Sequence, residues 1–190
     1  MAAKRTAFLN TVQDLDPERL VFIDEAGANL AMGRSHAWVL RGEEYVEPRP
    51  MNRGNNLTLI GAVRLDGVVT LATQWKAVNT ETFTAWVRDC LAPRLRRGDI
   101  VLLDNLTAHK ATAVRDLIAR RGASVKFLPP YSPDFNPIEP VWALVKKHIR
   151  TFAPRSADAL RRVARAARYV VRSHHCRQFF AHAGYVNSSA

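Results

Sequence analysis

Runs of apolar residues divide the chain into five predicted strands. The first run ends at Asp24-Glu25, and two β-rich runs lie on either side of Asp66-Gly67, a pair typical of a two-residue hairpin turn. Two short apolar runs follow later. The predicted strands cover residues 20–25, 57–65, 68–76, 99–105 and 124–128, with a further short strand around 37–40. All four tryptophans lie in or beside apolar patterns, which predicts core packing for Trp38, Trp75, Trp86 and Trp142.

Apolar residues at helical spacing fill most of the remaining chain. Thr80 offers an N-cap for a helix that ends before Pro93, and Asn136 followed by Pro137 is a preferred helix start. Ser156 opens the last predicted helix. The predicted helices cover residues 80–91, 110–121, 137–152 and 156–172, after a helix-compatible stretch at 1–19.

The order of these elements predicts an α/β fold. A hairpin followed by alternating helices and strands gives a mixed sheet with helices on both faces. Three antiparallel strands followed by two parallel ones is the layout of the ribonuclease H-like, five-stranded mixed sheet. We divide the chain into an N-terminal extension (1–19), the core (20–154), and a C-terminal basic helix and tail (155–190).

Three acidic residues stand where core elements end or begin. Asp24 and Asp104 follow buried strands, and Glu139 leaves a proline-rich turn at the start of a helix. Sites in open sheets form at the carboxyl ends of strands, and converging carboxylates suit a two-ion site for phosphodiester cleavage. Each acid alone could simply cap a turn or complement a helix dipole. Strand alternation does not choose between Asp24 and Glu25.

Charge and composition restrict the class of protein. Twenty-eight Lys and Arg against 17 Asp and Glu give a net charge of +11. Such an excess suits a nucleic-acid partner, although solubility and coding bias also produce it. The two cysteines form no disulfide framework, and no apolar run approaches the length of a membrane span. These features indicate a protein of the reducing cytoplasm without membrane contact.

Three runs resemble the catalytic blocks of the Tc/mariner transposase superfamily, in its bacterial insertion-sequence branch. They are FIDEAGAN, GDIVLLDNLTAHK and FLPPYSPDFNPIEPVWALVKK. The resemblance covers residues 18–186, and its third block is the most specific. The 34 residues at positions 105–138, between the second and third acids, match the spacing of that superfamily. The resemblance implies that Asp24, Asp104 and Glu139 are the catalytic residues and metal ligands.

The resemblance also implies an activity and its partners. Mg²⁺, with Mn²⁺ as a substitute, would occupy a two-ion site for DNA strand cleavage and strand transfer. The partners would be element-end DNA and TA-containing target DNA, and the protein would act as a homodimer on nucleoid DNA. Full-length members carry helix-turn-helix domains ahead of the core, whereas about 19 residues precede the first strand here. We therefore expect either a separately encoded DNA-binding half or a truncated remnant.

Two alternatives remain open at this point. A nuclease of the same fold would share the acids but lack strand transfer. A catalytically silent or domesticated DNA-binding remnant would retain the fold without the reaction.

Further residues near the acids are predicted to support the site. Asn105 would fix the strand-end turn, and His109 would orient a water, touch a phosphate or simply open a helix. Tyr131 and Asn136 are predicted to brace the turn that aims Glu139.

Basic residues follow the third acid on the same helix. Lys146, Lys147 and Arg150 recur on the helical face near Glu139, so we predict that they hold DNA phosphates, with a solvated face as the alternative. The same two interpretations apply to a basic stripe on the last predicted helix, formed by Arg161, Arg162, Arg165, Arg168 and Arg172.

Overall fold

The computed structural model describes residues 2–12, 14–34 and 36–186, and it places a five-stranded mixed sheet between two layers of helices. The strands are β1 (Leu20–Ala28), β2 (Leu57–Arg64), β3 (Gly67–Gln74), β4 (Ile100–Leu103) and β5 (Ser124–Phe127). The helices are α1 (Ala2–Val12), α2 (Thr80–Trp86, continued by π-helical turns over Val87–Leu91), α3 (Thr112–Ala119), α4 (Ile138–Phe152), α5 (Ala157–Ala166) and α6 (Ser173–His182).

The predicted sheet is confirmed in order and direction. The strands lie in the order β3-β2-β1-β4-β5, with β1 antiparallel to β2 and parallel to β4. β2 and β3 form the predicted hairpin, and β5 runs parallel to β4. Gly67 takes a φ of +146°, which a residue with a side chain rarely adopts.

Alternation along β1 supplies both hydrophobic cores. Phe22 faces α4, α5 and α6, where its ring meets Phe180 edge-on at 5.3 Å between centroids. Ile23 faces the opposite layer with Phe83 of α2 and Ile118 of α3. The predicted boundary at 154/155 falls between α4 and α5, and both of these helices contribute to the first core.

The segment between β1 and β2 differs from the prediction. Residues 36–56 contain no strand, so the short strand expected around 37–40 is wrong. Its large apolar side chains are not buried: Trp38 is fully exposed, and Leu40 and Met51 are exposed as well. Core packing is therefore wrong for Trp38, while Trp86 and Trp142 are buried as predicted.

Two helix predictions also need correction. Asn79, rather than Thr80, caps α2, because the Asn79 side chain accepts a hydrogen bond from the Thr82 amide. The last predicted helix ends as an α-helix at Ala166, and α6 follows as a separate helix that the sequence analysis missed. No helix in residues 2–12, 14–34 and 36–186 is long and apolar enough to cross a membrane.

Candidate active site

All three predicted acids line one open cleft. Asp24 comes from β1, Asp104 directly follows β4, and Glu139 lies in the first turn of α4. The cleft has a volume of about 440 Å³, and none of its lining residues in the described part of the chain is Lys or Arg. In a chain of net charge +11, a cleft whose lining holds three carboxylates and no Lys or Arg favours a bound cation.

The sheet opens beside Asp24. β1 is longer than predicted and pairs with β2 as far as Ala28, so Asp24 lies within the strand rather than at its end. Pairing of β1 with β4 ends at Phe22, because β4 itself ends at Leu103. The gap that follows exposes the Asp24 side chain to the cleft.

Strand alternation separates the two neighbouring acids of β1. Asp24 points to the same face as Phe22, towards α4, and the Trp142 Nε1–H donates a hydrogen bond of 3.1 Å to Asp24 Oδ2. Glu25 lies on the opposite face with Ile23. The face that carries Glu139 is therefore the face of Asp24.

Gly61 makes the contact between α4 and Asp24 possible. Gly61 is the β2 neighbour of Asp24, and a Cβ at this position would lie 2.6 Å from the Trp142 ring. Because real Cβ atoms do not approach other atoms so closely, glycine is needed for Trp142 to lie on the sheet and reach the carboxylate.

Among the acids of the cleft, Asp24 has a strongly raised pKa. Burial raises its pKa to about 7, and repulsion from Glu139 and Glu25 adds to the rise. Hydrogen bonds from the Glu25 amide and Trp142 act in the opposite direction without cancelling it. A divalent cation between these carboxylates would favour the ionised form of Asp24.

The raised pKa predicts a pH-dependent stability for the metal-free protein. Between about pH 4 and pH 7 the unfolded chain has lost the Asp24 proton while the folded protein keeps it, so stability falls as pH rises through this window. Asp24→Asn removes that titration. In EDTA at pH 8 the variant should therefore melt several degrees above wild type, since each kcal/mol of unfolding free energy shifts the melting temperature by about 2–4 °C. The difference in melting temperature should be smaller at pH 4. Melting curves with a constant gap from pH 4 to pH 8 would contradict the prediction.

A buried histidine ties the second acid to the first strand. The His109 side chain is fully buried, with Nδ1 2.6 Å from Asp104 Oδ1 and Nε2 2.9 Å from Glu25 Oε1. Burial acts to lower the pKa of His109, but the two carboxylates outweigh it and raise the pKa to about 9. Phe83 covers the ring at 4.3 Å between centroids.

The Asp104 carboxylate is held at one oxygen. Oδ1 contacts His109 and accepts a hydrogen bond of 3.0 Å from the Leu106 amide. Burial acts to raise the pKa of Asp104, but the contacts with His109 and Leu106 outweigh it and lower that pKa. The carboxylate is therefore ionised, and its orientation is set through His109.

Glu25 is the residue of this site that the sequence analysis missed. Glu25 joins this site through its contact with His109, which lies 84 positions away in the sequence. The available signal was the pair Asp24-Glu25 in one strand, because alternation sends consecutive side chains to opposite faces.

The other supporting residues lie after β4 and in the turn before α4. Asn105 Nδ2 donates a hydrogen bond of 2.7 Å to the Leu128 carbonyl, which links the ends of β4 and β5. Tyr131 lines the cleft but is 86% exposed with a φ of +53°, so the prediction that it braces the turn is wrong. Asn136 does not cap α4: Pro137 occupies the cap position, and the buried Asn136 Oδ1 has no hydrogen-bond partner among the residues that the structure describes.

Helix α1 braces the turn that leads to Glu139. Arg5 forms an ion pair with Asp134, donates a hydrogen bond of 2.9 Å to Ser132 Oγ, and lies 4.4 Å from the Phe135 ring centroid. Phe8 stacks on Phe135 at 5.7 Å. The N-terminal segment is thus in direct contact with the proline-rich turn.

Arg5→Ala is expected to reduce DNA cleavage several-fold with only a small fall in melting temperature. The variant frees the turn before α4, and misplacement of a reacting group is costly even from a distance. The matched control is Arg88→Ala, because Arg88 makes a similar exposed two-point contact with Asp89 away from the cleft. Cleavage rates and melting temperatures of the two variants, measured in parallel, check the prediction; equal rates would contradict it.

The predicted DNA-binding residues lie on α4 beyond Glu139. Lys147 is exposed, and Lys146 and Arg150 are half-buried. None of the three has an acidic partner among the ion pairs of the described residues. Their role in holding phosphates stays a prediction.

The donor set of the cleft fits a hydrated divalent ion. The acids supply hard oxygen ligands. The buried Asn136 Oδ1, which has no partner among the described residues, could accept a hydrogen bond from an ordered water. No three His, Cys, Asp or Glu side chains of the described residues already converge as a closed metal cage. Mg²⁺ does not need one, because it keeps several waters and binds through one or two carboxylates.

Comparisons with known proteins agree with this arrangement. A family model described as DDE superfamily endonuclease matches residues 19–161. No curated protein matches the chain. The chain superimposes on the Mos1 mariner transposase catalytic domain with a TM-score of 0.68 at 16% identity, over 96% of this chain and 86% of the other. That likeness confirms the ribonuclease H-like fold.

Longer and ligand-bound forms of that relative match as well. The Mos1 paired-end complex with the left transposon end gives a TM-score of 0.62 at 20% identity, over 96% of this chain and 61% of the other. The chain thus spans less than two thirds of that transposase. The Mos1 catalytic domain with Raltegravir and Mn gives a TM-score of 0.68 at 16% identity, over 93% of this chain and 85% of the other.

Proposed function

The chain belongs to the DDE superfamily endonucleases, and from that premise we propose that it is the catalytic domain of a bacterial insertion-sequence transposase of the Tc/mariner superfamily. Its reaction would be DNA strand cleavage at the element ends, followed by strand transfer into target DNA at TA dinucleotides. Solved structures of Mos1 transposase with transposon-end DNA and with Mn or Mg support the choice of substrate and metal.

One observation carries the proposal: three acids from three separate elements line one cleft without a basic residue among them. The proposed catalytic residues and metal ligands are Asp24, Asp104 and Glu139. The proposed metal is Mg²⁺ at two positions, with Mn²⁺ as a substitute. When bound, the ions would activate the attacking oxygen and stabilise the leaving oxygen.

The protein residues contribute position and charge. Asp24 and Asp104 would hold their carboxylates on the rigid sheet, and the first turn of α4 would bring Glu139 to the same phosphate. Asp104 would keep its orientation through His109, which Glu25 holds from the other side of the ring. Lys146, Lys147 and Arg150 would bind backbone phosphates and make binding salt-dependent.

The partners belong to the same proposal. We propose a homodimer on DNA, since two element ends must be joined. The fully exposed Trp38 and Met51, with Val46 also exposed, give residues 36–51 an apolar surface that a second copy would cover. A separately encoded helix-turn-helix half would supply sequence recognition, and the complex would act on nucleoid DNA in the bacterial cytoplasm.

A strand-transfer assay tests the function. Precut element-end duplex and a TA-containing supercoiled plasmid are incubated with the protein in Mg²⁺, Mn²⁺ or EDTA. Metal-dependent joined products at TA sites are the expected result. Nicking without joining would instead indicate the same-fold nuclease.

A second arm separates the remaining alternative. The assay is repeated with a separately expressed helix-turn-helix DNA-binding domain added. Absence of any metal-dependent product in both arms would contradict the proposal and leave the silent DNA-binding remnant.

A further inference from the structure

A second groove runs along the free edge of the sheet, outside the acidic cleft. β3 is an edge strand, and residues 66–71 form one wall of a cavity of about 540 Å³. Arg94 and the connection between α5 and α6 (residues 168–173) form the rest. We call this cavity the β3 groove.

The groove is strongly basic. Arg94, Arg168 and Arg172 line it and are exposed, and none has a carboxylate partner among the described residues. The acid in the lining, Asp66, is already paired with Arg96 at 3.1 Å. Three guanidinium groups without counterions on one wall favour an anionic ligand.

A second arginine-lined cavity lies beside the groove at the hairpin turn, and most of its charge is already paired. This smaller cavity of about 90 Å³ adjoins the groove at Asp66 and is lined by Arg64, Arg96 and Arg177, with Glu18 as its other acid. Arg64 is buried and bound to Asp99 through Nη2 at 2.6 Å, and Arg96 is paired with Asp66. Arg177 is the exposed arginine of this cavity that has no ion-pair partner among the described residues.

The length of the groove suits a polymer rather than a single anion. The five β3 residues in the wall, Gly67 to Leu71, span about 17 Å. A duplex rises about 3.4 Å per base pair along its axis, so the groove matches about five base pairs of duplex length, from which it would meet the phosphates on the near side. A free phosphate or nucleotide would occupy only a small part of it.

The groove is also placed to receive DNA that leaves the acidic cleft. Leu71, at one end of the groove, pairs with Gly61, which in turn pairs with Asp24. That end is therefore level with Asp24 and two strands away, about 10 Å at the usual strand spacing. The other end lies farther from the cleft, at the hairpin turn.

We propose that the β3 groove is a second DNA-binding site, which holds the phosphate backbone of a duplex outside the segment being cut. This rests on the proposed function for the identity of the polyanion. The site reads no bases, because its described side chains offer guanidinium groups to phosphates. Its role is to add affinity and to fix the path of the duplex.

The test compares two double variants with the same change of net charge. Arg168→Glu/Arg172→Glu alters the groove, and Arg120→Glu/Arg121→Glu alters two exposed arginines after α3, at the other edge of the sheet. The probe is a labelled 40-bp duplex of arbitrary sequence, titrated in EDTA by fluorescence anisotropy over a range of salt concentrations. Thermal melting verifies folding, and Arg168→Gln/Arg172→Gln replaces the groove variant if the acidic one unfolds.

The groove variant should lose at least about tenfold in affinity relative to the control variant. A plot of log affinity against log salt concentration should also become less steep. The loss of about two phosphate contacts would change its slope by roughly 0.9 for each contact. Equal DNA affinities of the groove variant and the control variant would overturn the proposal. It would also be overturned if the groove variant lost binding to an acidic peptide while its DNA affinity stayed unchanged. Because binding is measured without metal, failure of the cleavage assay would overturn the proposed function and leave this result standing.

Discussion

Asp104→Asn should reduce metal-dependent DNA cleavage by about 10³-fold or more, a loss of about 4 kcal/mol in transition-state stabilisation. Asparagine keeps the shape of the side chain and can still meet His109 and the Leu106 amide at Oδ1. It removes the negative charge that a divalent ion needs in this cleft. Cleavage of a labelled duplex under single-turnover conditions measures the effect directly.

The control for this variant is Asp116→Asn. Asp116 is an exposed acid of α3 whose side chain makes no ion pair among the described residues. It should cleave and melt like wild type, whereas Asp104→Asn should melt at a lower temperature because the buried His109 ring loses one of its two carboxylates. Full activity in Asp104→Asn would remove Asp104 from the proposed site, whatever the behaviour of the control.

Variants of the buried histidine should show the second-largest effect. His109→Ala removes the group that orients Asp104 and leaves Glu25 without its partner. Groups that orient metal ligands typically contribute 10–100-fold to metal affinity or activity. We therefore expect a loss in that range, together with a higher Mg²⁺ concentration for half-maximal cleavage.

Glu25→Gln separates orientation from simple loss of packing. The glutamine keeps the volume and can still contact His109 Nε2, so the fold should be retained. A rise in the Mg²⁺ requirement without a matching fall in melting temperature is expected for a positioning role. If His109→Ala and Glu25→Gln lower the melting temperature but leave the cleavage rate and the Mg²⁺ requirement unchanged, the two residues contribute only to the stability of the fold.

The sheet could be predicted because its signals are local. The hairpin needs only Asp66-Gly67 between two β-rich runs, and β4 ends directly before Asp104, as its apolar run indicates. The nearness of Asp24 and Asp104 follows from strand order, since β1 and β4 are parallel neighbours, whereas Glu139 reaches the cleft from α4.

Features that depend on distant partners could not be predicted. Glu25 gains its function from His109, and the turn before α4 is braced by Arg5 from the other end of the chain. Asn136 has the residue type of a helix cap but is buried beside the cleft instead. Trp38 looks like a core residue from its apolar neighbours, yet no element covers it.

Diffraction from crystals soaked in Mn²⁺, recorded with anomalous signal, tests the central claim most directly. The account predicts anomalous peaks in the acidic cleft, within coordination distance of Asp24 and Asp104 and beside Glu139. The same peaks should weaken or vanish in Asp104→Asn. Ordered crystals with an empty cleft at saturating Mn²⁺, or with peaks only elsewhere, would contradict a metal-dependent site built from these three acids.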